Sequence, residues 1–284
     1  MTRTFFKSLT CLFFAATLAL HSAAARASFE NASLRFEIEE PKKLGLTYDV
    51  YAGGFKALSA LLDMDLDPKA YDLSLKAKTQ GTIGSLFPWE ATYATSGLAK
   101  NGSPVPTMHT SRSSWKKDEK VTEMQFSPKG DVLKTTTHEN NQTKVKKDFD
   151  PALTTDAVDM LTGALQMFQH TGQTSKCEGS FPVFDGKRRF NITLHDDGVE
   201  TLAKSKYSAY RGDTLRCTLK VEPVAGFKKD DAKRGWMAVQ NHTEARKKPP
   251  TIWMAQLEEN GPRVPVRMEI ASSYGSVVAH LTGV

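Results

Sequence analysis

The stretch Cys177-Glu-Gly-Ser-Phe-Pro-Val-Phe-Asp-Gly-Lys-Arg-Arg-Phe-Asn-Ile-Thr-Leu-His195 tells the most about the fold. Its aromatic and β-branched residues between turn-forming residues are typical of strands. Asp196-Asp-Gly198 predicts a turn, and the residues after it predict a strand that returns to Cys217. The stretch therefore predicts a β-rich domain in which a disulfide joins Cys177 and Cys217.

The N-terminus supplies the reason for pairing these cysteines. Basic residues precede an apolar run over residues 9–20, and Ala25-Arg-Ala27 completes a cleavage pattern, so residues 1–27 are predicted to be a signal peptide. Cys11 lies in the apolar run and is expected to be removed with it. The two cysteines left would reside in an oxidising compartment, where a disulfide is the default. Two unpaired buried cysteines are the alternative.

The predicted signal peptide directs the protein out of the cytoplasm, which in a bacterium means the periplasm. No later apolar run reaches the roughly 18 to 20 residues that a spanning helix needs, so no transmembrane segment is expected after signal removal. Residues 28–284 are predicted to form a single β-rich domain with a polar lead over 28–43. The polar segment 138–150 is its best candidate for an internal boundary.

Charge gives little support to a nucleic-acid role. The 284 residues carry a formal charge of +6, and loss of three basic residues and no acidic residue with the signal peptide lowers it to +3. Nucleic-acid binding needs a concentrated basic face, which is not evident, so no nucleic-acid partner is predicted. The basic clusters at 144–147, 228–229 and 246–248 are interpreted as solvated loops, with a contact to anionic lipid or polysaccharide as the alternative.

Period-two patterning predicts ten to twelve strands along the chain. The first two, over 46–51 and 55–66, form a hairpin around Gly53-Gly54, and 81–88 predicts a short irregular or helical connection. Further strands are predicted over 71–78, 90–98, 107–115, 120–126, 131–137, 218–221, 251–255, 264–269 and 274–281, with a proline break at Glu222-Pro223.

One helix is predicted after Pro151, with a start signal at Thr154-Thr-Asp156 and a C-terminal cap at Gly172. The apolar residues of its stripe are Val158, Leu161, Leu165 and Phe168. The predicted fold class is mainly β with one central helix, a curved antiparallel sheet on which the helix buries its stripe. Leu161, Leu165 and Phe168 are candidates for lining an apolar groove.

No residue pattern predicts catalysis, a cofactor or a metal. The histidines are scattered without ligand spacing, although a zinc site assembled from distant histidines is not ruled out by spacing alone. Asp63-Met-Asp-Leu-Asp67 begins like a calcium loop, but Pro68 and Ser74 stand where the loop needs glycine and glutamate. On a strand, these aspartates would share the solvent face opposite Leu62, Met64 and Leu66.

Several segments in order resemble domain-of-unknown-function family 3108, whose members are exported bacterial envelope proteins. They are Tyr48-Asp-Val-Tyr-Ala-Gly-Gly54, the helix ending near Phe168, Val183-Phe-Asp-Gly-Lys-Arg-Arg-Phe190 and residues 252–281. The resemblance covers nearly all of the predicted mature chain. Such domains look similar to the open half-barrels of Lol-type lipoprotein carriers, which implies an apolar concavity around the helix. The resemblance implies no catalytic residues.

The leading functional hypothesis is a non-enzymatic cell-envelope protein whose groove binds a lipid, an acyl chain or a lipoprotein segment. The first alternative is a hydrolase of envelope polymers that uses two of Asp185, Asp196, Asp197 and Glu200, although a hairpin turn is much the stronger explanation of these residues. The second alternative is a scaffold that binds a partner envelope protein along an exposed sheet edge.

Overall fold

The computed structural model describes residues 40–100, 102–228, 243, 247–258, 261–272 and 275–284. The predicted signal peptide, Cys11 and most of the polar lead lie outside these ranges, so those predictions are not tested by the structure. The described residues fall within one compact unit.

Fourteen antiparallel strands form one sheet in the described ranges, with the order β8-β7-β6-β5-β4-β3-β2-β1-β14-β13-β12-β11-β10-β9. Its two edges, β8 and β9, are not paired with each other, so the sheet is open. The strands are β1 (Lys42–Ala52), β2 (Phe55–Leu66), β3 (Ala70–Thr79), β4 (Trp89–Lys100), β5 (Ser103–Trp115), β6 (Asp118–Phe126), β7 (Val132–Glu139), β8 (Gln142–Lys146), β9 (Gly179–Phe184), β10 (Arg189–Leu202), β11 (Gly212–Ala225), β12 (Thr251–Gln256), β13 (Arg263–Ser272) and β14 (Gly275–Gly283).

Strand β2 shows how the sequence selects the faces of this sheet. Leu62, Met64 and Leu66 are buried, whereas Asp63 and Asp65 between them lie on the opposite face. Because side chains alternate across a strand, the apolar residues all join the core. The strand interpretation is therefore confirmed for residues 63–66, whereas Asp67 lies in the turn between β2 and β3.

Helix α3 (Met160–Thr174) lies against the face of the sheet that carries this core. It contacts β4, β5, β9 and β13, which are far apart in the strand order. One straight helix can reach all four strands only if the sheet curves around it. We call the face that packs on α3 the concave face and the opposite one the outer face.

The helix prediction was correct in existence and wrong in its bounds. The segment after Asp150 forms only a single turn, α2 (Pro151–Thr154), and α3 begins after Asp159, whose side chain accepts hydrogen bonds from the first free amides. Val158 lies before the helix and bridges to Val183 of β9. Gly172 is inside the helix, and Ser175 in the left-handed conformation caps its C-terminus. A third short helix, α1 (Gly81–Leu86), occupies the predicted connection between β3 and β4.

The turn predicted at Asp196-Asp-Gly198 was wrong. Strand β10 continues through these residues, and its register against β11 shifts between Asp196 and Val199. The extra residues form a bulge, in which Gly198 has a φ of 86° and donates its amide to Asp196 Oδ1 at 2.6 Å. Asp196-Asp-Gly198 forms a bulge and not a turn because the residues before and after it both pair with β11.

One other strand limit also differs from the prediction. Pro223 does not break the chain but pairs with Phe190 inside β11, next to a shift of register. Residues 142–146 of the polar segment form β8, which pairs with β7 and whose five residues are all exposed.

Cys177 and Cys217 lie at disulfide distance, with their Cα atoms 5.5 Å apart, and both are fully buried. Cys217 is on β11 and Cys177 precedes β9, so a bond between them links the start of the edge strand to a strand inside the sheet. The amide of Cys177 donates to Asp196 on β10, which adds a second link at the same point.

Removal of this bond tests its contribution to stability. Replacing Cys177→Ser and Cys217→Ser together releases a loop closed over a sequence separation of 40, and we expect the free energy of unfolding to fall by about 4 kcal/mol. Urea denaturation of the double variant measures the loss, and the wild type in reducing agent is the control that should match it. A loss below about 1 kcal/mol would show that the bond does not constrain the unfolded chain.

Candidate functional site

The concave face is buried at one end of its strands and only half-buried at the other. On β1, Leu44 and Leu46 are buried in the core that also contains the apolar residues of α3, whereas Val50 further along the strand is half-buried. On β2, the buried residues Leu62, Met64 and Leu66 give way to half-buried Leu58. The core around α3 thus buries one end of these strands and leaves apolar side chains only half-buried at the other.

The same change occurs on three neighbouring strands. Leu73 of β3, Val266 of β13 and Leu281 of β14 are buried, and the residues that follow them on the concave face towards the same end are half-buried. The pairing register joins these residues into one surface, which we call the apolar concavity. Its members are Val50, Leu58, Ala60, Leu75, Ala77, Met268, Ile270, Val277 and Ala279.

The three groove residues predicted from the sequence lie deeper than this surface. Leu161, Leu165 and Phe168 are 5%, 1% and 4% exposed and belong to the core between α3 and the sheet. The half-buried residues of the apolar concavity all lie on strands. Whether the three helix residues contact a ligand stays a prediction, and in this geometry they would form its floor.

Asp159, the N-terminal cap of α3, is the most highly connected polar group of the core. It is fully buried, and its Oδ1 accepts hydrogen bonds from the amides of Leu161 and Thr162 at 3.0 and 3.1 Å. Thr95 Oγ1 on β4 also donates to Oδ1, at 2.7 Å, and Thr162 Oγ1 donates to Oδ2 at 2.6 Å. The carboxylate thereby joins the helix N-terminus directly to the sheet.

Two further side chains extend this network to neighbouring strands. His109 Nδ1 of β5 lies 2.7 Å from Thr95 Oγ1 and 3.1 Å from Asp159 Oδ1. Since Thr95 uses its only proton on Asp159, Nδ1 of His109 is the donor, and its proton is shared between Thr95 Oγ1 and Asp159 Oδ1. Tyr71 of β3 shares a hydrogen bond of 2.8 Å with Thr162 Oγ1, and its ring passes over Gly97, where a Cβ would come within 2.3 Å of a ring carbon. Three strands therefore hold the helix start.

The network stabilises the charged form of Asp159. Burial by itself raises the pKa of this carboxyl, but the hydrogen bonds from His109, Thr162 and Thr95 outweigh burial, and the pKa lies below its ordinary value of 3.8. Burial and the nearby Asp159 charge both raise the pKa of Tyr71, so its hydroxyl stays protonated as a donor. None of these residues was predicted from the sequence, although an aspartate before an apolar helix is a recognisable cap signal.

The Asp159–His109 pair has the hydrogen-bonding pattern of a general-base dyad, in which a carboxylate orients an imidazole. The hydroxyl that contacts His109 is that of Thr95, which lies on the Nδ1 side and already donates to Asp159. It is therefore a positioning group and not a nucleophile. The arrangement anchors a helix, and no reaction is derived from it.

The four carboxylates suggested for a hydrolase each have a separate structural partner. Asp185 pairs with Arg188 at 2.7 Å in the turn between β9 and β10. The partners of the other three are Gly198 and Cys177 for Asp196, Thr218 for Asp197, and Trp253 for Glu200. These contacts account for all four residues as turn, bulge and cross-strand elements.

No metal centre is formed by the part of the chain that the structure describes, since it holds no group of three or more histidine, cysteine, aspartate or glutamate side chains in suitable positions. His109 is in the core, His138 bonds Thr143, and His280 stacks on Tyr207. His242 lies outside the described residues.

A shallow depression of about 470 Å³ lies on the outer face around Gly45, where β1 lacks a side chain. Asp63, Asp65 and Asp72 line it, and each has a partner: Ser74, Lys43 and Ser96 respectively. The depression is open and its carboxylates are already engaged, so the apolar concavity is the better candidate for a binding site.

The described helices are all too short or too polar to cross a membrane.

An open antiparallel sheet, curved around one helix and bearing a half-buried apolar surface on its concave face, defines the class of fold. The chain belongs to the family described as "Protein of unknown function (DUF3108)", whose model matches residues 47–282. The resemblance found in the sequence is thus confirmed, while the likeness to Lol-type carriers stays a prediction.

One solved structure is similar to this chain. It is the crystal structure of a β-barrel-like protein of domain of unknown function DUF1849 from Brucella abortus, with 10% sequence identity and a TM-score of 0.45. The similarity covers 86% of this chain and 97% of the other. No curated protein matches the chain.

The Asp159 network makes stability depend on pH in a defined direction. Because the folded-state pKa of Asp159 is depressed, its contribution is present above about 3.8 and is lost as the pH falls through the lower folded value. Asp159→Asn should reduce the free energy of unfolding by about 2 kcal/mol at neutral pH, the scale of a hydrogen bond to a charged group. The difference from the wild type should shrink below pH 3.8.

Urea denaturation at a series of pH values measures this difference. Asp150→Asn is the matched control, because Asp150 caps α2 at an exposed site and asparagine caps helices equally well. A difference for Asp159→Asn that grows as the pH falls would contradict the depressed pKa.

Proposed function

We propose that this protein is a periplasmic, non-enzymatic cell-envelope protein that binds a lipid acyl chain, free or as part of a lipoprotein, in the apolar concavity. The observation that carries the proposal is the change from buried to half-buried apolar residues along the concave face of five adjacent strands. Uncovered apolar surface of this kind costs free energy in water, and an acyl chain laid on it would remove that cost.

The chemistry of the surface favours an acyl chain over a polar ligand. Its members are aliphatic, apart from the thioether of Met268. Tyr48, which lies next to it on β1, already donates its hydroxyl to the Pro265 carbonyl at 2.9 Å. Ligand sites for polar molecules need several convergent polar groups, whereas an alkyl chain needs only apolar area and adaptable neighbours.

Location in the periplasm is supported by two independent features. The first 27 residues have the pattern of a cleavable signal peptide. Cys177 and Cys217 lie at disulfide distance in the core, which suits an oxidising compartment. An intact mass that corresponds to a chain starting at Ser28 with two fewer hydrogens would support both parts, and a full-length reduced mass would contradict them.

The bound species is identified by native mass spectrometry of the protein purified under mild conditions, followed by denaturing lipid extraction. We expect an acyl-containing molecule at up to one per chain. An empty protein that also fails to bind a fluorescent long-chain fatty acid would overturn the proposal and favour a partner-binding scaffold, for which the exposed edge strand β8 would be the first surface to test.

A pair of substitutions on β3 distinguishes the two faces. Ala77→Trp fills part of the apolar concavity, and we expect the affinity for the fluorescent fatty acid to fall about tenfold or more, the equivalent of two methylene groups left in water. Lys78→Trp places the same side chain on the outer face and should leave affinity unchanged. Equal loss in both variants would show that binding does not occur in the concavity.

A further inference from the structure

We propose that one end of the sheet docks on the surface of an anionic phospholipid bilayer. This end carries four exposed apolar side chains, Phe55, Leu86, Phe87 and Trp115, which we call the apolar rim. Their exposed fractions are 76%, 64%, 53% and 43%. The proposal goes beyond ligand binding, because membrane attachment through the rim does not require an occupied concavity.

The apolar rim is formed by three connections at neighbouring strand ends. Phe55 follows the β1–β2 turn, Leu86 and Phe87 belong to the α1 connection between β3 and β4, and Trp115 ends β5 before the turn into β6. In the antiparallel order β1 to β6, these connections all lie at the same end of the strands. The rings of Phe87 and Trp115 are 6.2 Å apart, so the rim is continuous between the last two connections.

Hydrogen bonds hold the rim in place while leaving its side chains uncovered. The amide of Gln80 donates to the Ala57 carbonyl at 2.9 Å, and the amide of Lys116 donates to the Pro88 carbonyl at 3.2 Å. Thr79 Oγ1 donates to the Phe87 carbonyl at 2.9 Å. None of the six residues of α1 is buried, so this segment is fixed by its backbone and not by packing of its side chains.

The chemistry of the rim matches the interface of a bilayer. Tryptophan and phenylalanine partition well into the region between headgroups and acyl chains. Lys116 and Lys117 stand next to Trp115 at the tip of the β5–β6 turn and are both exposed. Asp118 and Glu119 follow on β6, and Glu119 is paired with Arg112 of β5. Residues 52–55 and 80–88 contain no charged side chain, so three basic and two acidic side chains leave a net positive charge here. Basic residues at this position are attracted to anionic headgroups.

The size of the rim argues against a second copy of the chain as its occupant. A stable protein interface buries about 800 Å² on each partner, and a fully exposed aromatic side chain offers roughly 150–250 Å². Four partly exposed side chains fall short of that requirement. A bilayer imposes no such minimum, because each side chain that enters the interface contributes separately.

The position of the rim relates it to the apolar concavity. Phe55 precedes Leu58 on β2, and the α1 connection follows Ala77 on β3, so the rim lies at the half-open end of the concave face. A protein docked through the rim would hold the open end of the concavity at the level of the lipid. An acyl chain could then pass between them without crossing water.

The test is co-sedimentation of the purified protein with vesicles of phosphatidylglycerol and phosphatidylcholine, compared with vesicles of phosphatidylcholine alone. We expect binding to the anionic vesicles that weakens as salt is added. Lipids brominated along the acyl chain should quench Trp115 fluorescence, measured as the difference between the wild type and Trp115→Phe. Absence of binding to the anionic vesicles overturns the proposal.

Substitutions identify the part of the protein that binds. Phe87→Ser together with Trp115→Ser should lower vesicle binding on the order of tenfold or more, since each change removes an apolar side chain. Lys116→Ser together with Lys117→Ser should lower binding to anionic vesicles by about thirtyfold, which corresponds to about 1 kcal/mol for each lysine. The matched control is Leu133→Ser with Lys129→Ser, which changes a 51% exposed leucine and an exposed lysine at the opposite strand ends and should leave binding unchanged.

Two outcomes would show that the apolar rim binds something other than a bilayer. Equal loss in the control variant would show nonspecific adsorption. A dimer by analytical ultracentrifugation that disappears with Phe87→Ser and Trp115→Ser would assign the rim to self-association.

Fatty-acid titration of the same variants keeps the two proposals separate, because rim variants should retain affinity for the fluorescent acid. Vesicle binding without fatty-acid binding would leave this inference standing and overturn the proposed function alone.

Discussion

The fixed start of α3 is the constraint on which the rest of the structure depends. Asp159 accepts hydrogen bonds from two helix amides and from Thr95 of the sheet, and Tyr71 and His109 extend these contacts to two more strands. A buried carboxylate is tolerated here because several donors converge on it, and removing one would leave an expensive unpaired group. The network therefore sets where the helix begins on the concave face.

The position of the helix determines how much of the concave face is open. Helix α3 spans 15 residues, about 22 Å of rise, and covers one end of the sheet only. The strands extend beyond it with the same alternation of apolar and polar residues, as on β2 and β3. Apolar side chains that would be buried in a closed core are consequently left half-buried. The open surface is a consequence of a long sheet wrapped on a short helix.

The two edge strands of the sheet have different surroundings, and they do not pair with each other. Edge β9 is tied down by the Cys177–Cys217 link and by contacts of its end with the β6 side of the molecule, where Phe184 and Met124 share a second small core. Edge β8 is exposed and carries Lys144 and Lys146, which discourage pairing with another chain. The curved sheet thus approaches closure without a hydrogen-bonded seam between its edges.

Local patterns in the sequence determined the strands, their faces and the existence of the helix. Alternation on β2 assigned Asp63 and Asp65 to one face and Met64 to the other because a strand has a period of two. The tertiary structure decided what local signals leave open. Asp196-Asp-Gly198 became a bulge because both flanks pair with β11, and the helix began at Asp159 because donors from distant strands meet there. Leu161, Leu165 and Phe168 are buried in the core, and the half-buried apolar surface is formed by the ends of the strands. Only the packing of the helix on the sheet determines which apolar residues are covered.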